Sequence, residues 1–89
     1  MTDDKPLSSM VADGSEEAFR TLFKRYYDHI YGVAFAFTKS PAMSEDLSQD
    51  VFLKIWLKRE MLRTVEKFDA YLFMVARNHI LNELEKRVK

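Results

Sequence analysis

Apolar side chains recur along most of this chain at steps of three and four. From Ser15 onward they fall at Phe19, Leu22, Phe23, Tyr26, Ile30, Val33, Ala34 and Phe37, one continuous helical face. Ser15 is a suitable N-cap, and Glu16 and Glu17 suit the positive end of the helix dipole. This long helix is expected to stop at Lys39-Ser40-Pro41, because the residue before a proline is pushed out of the α region. A third helix is predicted from Ser44 as N-cap, with Glu45 and Asp46 in its first turn, to about Arg59. Met61 to Glu66 lacks a clean period and reads as a loop, and a last helix runs from about Lys67 to the end. A short helix precedes them all, from Pro6 to Ala12, with proline in its first turn and Asp13-Gly14 after it. Two glycines and two prolines leave little room for the turns of an all-β fold. The predicted fold class is all-α: a small helical bundle of three main helices plus a short N-terminal helix.

Composition narrows this further. With 89 residues the chain holds one domain, and 47% hydrophobic residues with seven Phe, four Tyr and one Trp can build its core. The absence of cysteine fits a reducing compartment, and a cytoplasmic location is expected. The uncharged run Ile30 to Thr38 is far shorter than the roughly 20 residues of a membrane span, and the acidic start does not read as a secretory signal. Formal net charge is zero. Residues 1–50, however, carry five basic and nine acidic side chains, and residues 51–89 carry nine basic and five acidic ones. Such a dipole suits a basic partner on one half and an acidic one, such as nucleic acid, on the other; chance imbalance accounts for it equally well.

Two helical faces do not fit a plain bundle. On the third helix Leu47, Val51 and Ile55 share the core side, with Phe52 toward its edge, while Asp46, Gln49, Asp50, Leu53 and Leu57 line the other. Two leucines beside two acids and a glutamine suit a partner surface, although isolated surface leucines are common. On the last helix Phe68, Leu72, Val75, Ala76 and Ile80 point inward, and Met74, Asn78, Asn82 and Glu85 lie elsewhere. Asparagine is unfavourable in mid-helix. Two stacked amides either form a slightly unfavourable surface or read base edges. Catalytic chemistry is thin. His29 and His79 sit in no metal-binding motif, and His79 with Glu83 supplies only two ligands. Neither a phosphate loop nor a nucleophile–base pair is present, so no enzyme, cofactor or metal is expected.

The run Ser44-Glu45-Asp46-Leu47-Ser48-Gln49-Asp50-Val51-Phe52-Leu53-Lys54-Ile55-Trp56 resembles region 2.2 of bacterial extracytoplasmic-function sigma factors, with its pattern EDL-x-Q-[DE]-x-F-x-x-x-W. Phe68-Asp69-Ala70-Tyr71-Leu72-Phe73-Met74-Val75-Ala76-Arg77-Asn78 is similar to the start of region 2.4, and Glu17-Ala18-Phe19 through Tyr26 to region 2.1. The resemblance implies that residues 1–89 form a sigma-2 domain, spanning regions 2.1 to 2.4. Such a domain docks on the clamp helices of the RNA polymerase β′ subunit, melts the promoter −10 element and captures its non-template strand. By motif position Asp46, Gln49 and Asp50, with Leu53 and Trp56, fall on the polymerase-binding residues. Asn78 falls on an asparagine near the flipped −10 base, with Asn82 one turn further on. Arg59 to Lys67 corresponds to the base-holding loop; Arg63 and Lys67 of this loop, and Tyr71 beyond it, join the expected DNA-binding set.

Some positions depart from the family pattern. Met74 stands where relatives often carry arginine, Glu83 and Glu85 interrupt a basic run, and the loop varies within the family. The −35-reading helix-turn-helix domain is absent from this chain, so a domain separated from a longer protein is expected. Leu53 and Leu57 are expected to be exposed, covered in turn by polymerase and by an anti-sigma factor. A helical protein–protein adaptor without DNA binding is the alternative. A helix-turn-helix repressor fits less well, for want of a short turn before a basic recognition helix.

Overall fold

The computed structural model describes residues 3–88. Four α-helices run in order: α1 (Lys5–Ala12), α2 (Glu16–Thr38), α3 (Pro41–Leu57) and α4 (Phe68–Val88), with a 3-10 turn at Arg59–Arg63 between the last two. The α1–α2 junction follows from its residues. Gly14 takes φ 96°, a left-handed value at which a side chain would be strained. Ser15 then caps α2, its hydroxyl accepting from the Ala18 amide at 3.1 Å.

The α2–α3 junction differs from the sequence-based expectation. Ser40, not Ser44, is the N-cap of α3, accepting from the Met43 amide at 3.2 Å, and Pro41 occupies the first turn. Serine followed by proline fits N-cap and N1 better than the serine four residues later, because proline's missing amide is unneeded there. Lys39 makes the reversal at φ 56° and donates its amide to the Phe35 carbonyl at 2.9 Å. Ser44 is buried instead. Its hydroxyl reaches the Ser40 carbonyl at 2.7 Å and Thr38 Oγ1 at 2.9 Å, which ties the end of α2 to the start of α3. At the other end α3 stops at Leu57, and the segment expected to be a plain loop opens with the 3-10 turn that buries Leu62.

Leu22, Ile30 and Ala34 of α2 meet Leu47, Val51, Phe52 and Ile55 of α3 and Phe68, Leu72, Ala76 and Ile80 of α4 in one core. Val11 and Ala12 bring α1 into the same cluster. Val75 is only half-buried. Phe37 departs further from the expected core face: it is 44% exposed, on the last turn of a 23-residue helix.

Asp4 makes a contact that periodicity cannot reveal. Its buried carboxylate accepts from the Arg25 guanidinium and the Tyr26 hydroxyl, so the start of α1 is anchored to α2. Burial, and then the hydrogen bond to Asp4, push the Tyr26 phenol well above its ordinary value. The folded state therefore keeps a proton that the unfolded chain releases near pH 10, a contribution to stability that is present below that pH and lost as pH rises further. Alkaline titration followed by tyrosinate absorbance is expected to show a late component that Tyr26→Phe removes. A Tyr26→Phe titration identical to that of the parent chain would contradict this.

Candidate functional site

α3 is the element around which the expected site residues are arranged. With Leu47, Val51 and Ile55 turned into the core, the helix leaves Asp46, Gln49, Asp50, Leu53 and Leu57 outside. Leu53 is 53% and Leu57 68% exposed, as expected from the helical spacing. This outer surface divides in two. Toward α2, Gln49, Leu53 and Trp56 line an open groove of about 530 Å³, whose floor is Phe19, Phe23 and Phe52 and whose rim carries Glu16 and Arg20. Trp56 is half-buried there. Its ring lies 5.2 Å from that of Phe19, and the Arg59 guanidinium sits 4.4 Å above it. Toward α4, Asp50 turns to His79, with 3.4 Å between Oδ2 and Nε2.

The second surface lies between α3 and α4. Tyr71, Asn78 and Asn82 share a recess of about 170 Å³ with Lys54, Lys58 and His79. Adjoining it is a more open hollow of about 390 Å³, lined by Lys54, His79, Asn82 and Lys86 together with Glu83 and Glu85. Three of the five residues expected to face DNA are thus brought together, and two lysines of α3 join them. Lys54 and Lys58 were missed by sequence reasoning. Their i, i+4 spacing at the start of the basic half of the chain is the signal that places them on one side of α3. His79 is only 8% exposed, held between the helices as a satisfied histidine.

Arg63 and Lys67 lie apart from this recess, in the connection between α3 and α4. Arg63 is committed within the fold: Nε donates to Glu60 at 2.8 Å, Nη1 to Asp13 at 2.7 Å and Nη2 to the Ala12 carbonyl at 3.2 Å. Its hydrogen bonds to Glu60 and then Asp13 hold the guanidinium above its ordinary range, and the bond to Arg63 lowers the Glu60 carboxyl. Lys67 is exposed just before α4. Among the described residues no group of three or more potential metal ligands converges.

Comparison with known proteins shows the family. The model of the family Sigma-70 region 2 matches residues 22–89. The chain belongs to the sigma-70 region 2 family. It is similar to the ECF RNA polymerase sigma factor SigW of Bacillus subtilis (strain 168), 23% identical over 77 residues, which are 86% of this chain and 41% of the relative. The ECF RNA polymerase sigma factor SigK of Mycobacterium sp. (strain KMS) is 33% identical over 55 residues, 62% of this chain and 28% of that protein. A probable RNA polymerase sigma factor, RfaY of Xanthomonas campestris pv. campestris, is 28% identical over 68 residues, 76% of this chain and 17% of its own. The chain thus spans less than half the length of these relatives. The resemblance to an extracytoplasmic-function sigma-2 region holds, and the four helices have the all-α architecture expected of it. No helix among the described residues of this sigma-2 region is long and apolar enough to cross a membrane.

Proposed function

We propose that this sigma-2 region acts in transcription initiation, in the cytoplasm, by binding the RNA polymerase core and capturing the non-template strand of the promoter −10 element. The observation that carries this is the division of α3. One side is consumed by the core, and the other leaves acids, an amide and two leucines uncovered. Carboxylates and exposed leucines suit a partner that is basic and apolar together, and the β′ clamp helices are the partner assigned to Asp46, Gln49, Asp50, Leu53 and Trp56. The same exposed leucines suit an anti-sigma factor that excludes polymerase, since the two would cover overlapping surface.

The α3–α4 recess is assigned to single-stranded DNA. Asn78 and Asn82 supply amides that both donate and accept, Tyr71 supplies a ring on which a base can stack, and Lys54 and Lys58 supply cations for phosphates. Lys67 and the loop, which lie apart from the recess, are assigned to the same strand. Melting a duplex step costs a few kcal/mol, which trapped bases offset. Co-sedimentation with core polymerase tests the docking half directly: a helical adaptor unrelated to transcription has no affinity for core. For the DNA half, Lys54→Ala/Lys58→Ala is expected to weaken strand capture similarly for all sequences. It should also reduce the salt dependence of log K by about 1.4, at roughly 0.7 per lost phosphate contact on a single strand. An unchanged slope would remove both lysines from the interface.

A further inference from the structure

α1 lies upstream of the residues matched by the family model, yet both of its ends are fastened to the connection between α3 and α4. At its start, Lys5 Nζ donates to the carbonyl oxygens of Arg63 at 3.2 Å and Val65 at 2.7 Å. At its end, the Asp13 carboxylate and the Ala12 carbonyl accept from Arg63 at 2.7 and 3.2 Å. Between these two attachments Val11 and Ala12 are buried, as is Leu62 of the 3-10 turn. Asp4 in turn anchors α1 to α2 through Arg25 and Tyr26. The connection is therefore held in place from the body of the domain, by way of α1.

The chemistry of these contacts suits positioning. Carbonyls at the end of a short helical turn have no partner within it. An ammonium with three donors can hold two of them at once. Glu60, Met61, Thr64, Glu66 and Lys67 are exposed, so α1 grips the connection on one side while these side chains are left to solvent.

We propose that Lys5 and Asp13 are positioning residues that set the shape of the Arg59 to Lys67 loop, and through it the base that the loop accepts from the −10 strand. This rests on the assignment of that loop to base capture. Discrimination between bases needs recognition groups held within about 0.5 Å of their working positions. Two unfastened carbonyls and a released Arg63 would let the loop relax beyond that. Neither Lys5 nor Asp13 is among the residues assigned to polymerase or to the recess.

The test uses this chain with core polymerase and four −10 oligonucleotides that differ in the base placed at the loop. Lys5→Met keeps the aliphatic stem and removes the donors. Asp13→Ala removes an acceptor whose side chain is 67% exposed, so folding is retained. Each variant is expected to lose about fivefold in preference among the four bases. Affinity for core should be unchanged, loop amides should exchange faster, and Lys5→Arg should restore the preference. Unaltered preference in both variants, with Asn78→Ala still weakening capture, overturns the positioning role and leaves the DNA assignment standing. Failure of the parent chain to capture any strand in the presence of core overturns both.

Discussion

Gln49→Ala/Leu53→Asp is expected to lower affinity for core polymerase by at least about a hundredfold while leaving the domain folded. Leu53 projects from α3 with half its surface exposed, and Gln49 is exposed one turn earlier. Neither belongs to the buried core, so their loss leaves the packing of Leu47, Val51 and Ile55 intact. In a docked complex, burial of a leucine contributes about 1.5–3 kcal/mol, and an aspartate in its place would be desolvated without a partner. With the lost amide hydrogen bond, the sum reaches about 3–5 kcal/mol, beyond the roughly 2.8 kcal/mol that corresponds to a hundredfold. Titration of core with labelled domain measures the affinity, and thermal unfolding checks the fold. A loss below about threefold, at unchanged melting temperature, would remove the α3 outer face from the interface. Asp50 is the poorer probe. Its carboxylate lies 3.4 Å from the nearly buried His79, and a lysine there would disturb the α3–α4 contact as well as any partner.

Asn78→Ala is expected to reduce −10 strand capture by roughly 10- to 100-fold without altering affinity for core. An amide that reads a base edge contributes about 1–3 kcal/mol of discrimination. Here the substitution separates function from folding, because alanine is the better helix former by up to about 0.7 kcal/mol. Asn78 is exposed on α4. The variant domain should therefore melt no lower than the parent, and relaxed preference at one −10 position is the expected signature. A lowered melting temperature with unchanged preference would make Asn78 a structural residue.

The helices were legible because their signals are local. The helical spacing of Leu22, Ile30 and Ala34, at steps of eight and four, or of Leu72, Ala76 and Ile80, at steps of four, is set by neighbours on one helix, and burial follows it. The outer face of α3 was legible for the same reason, since whatever is not core on a well-patterned helix is outside. Elements decided by distant partners were not. Asp4 reads as part of an acidic start until α2 brings Arg25 and Tyr26 to it. His79 and Asp50, and Lys54 and Asn78, meet only because α3 packs on α4. Arg63 reads as a free cation for DNA, but residues 50 positions away in sequence engage it. The start of α3 was misplaced for a local reason: Ser44 suits an N-cap by residue type, but Ser40 with Pro41 beside it takes that place.

On the proposed function, polymerase docking on α3 delivers the −10 strand to the recess between α3 and α4. A domain with zero formal net charge has little electrostatic pull on DNA by itself. The most direct test is the affinity of this chain for a fluorescent non-template −10 strand, measured with and without saturating core polymerase and with a core-only control. The expected result is negligible capture by the isolated domain and sequence-selective capture when core is present, lost in the Gln49→Ala/Leu53→Asp variant. Equal capture with and without core, or selective capture by core alone, would contradict the account.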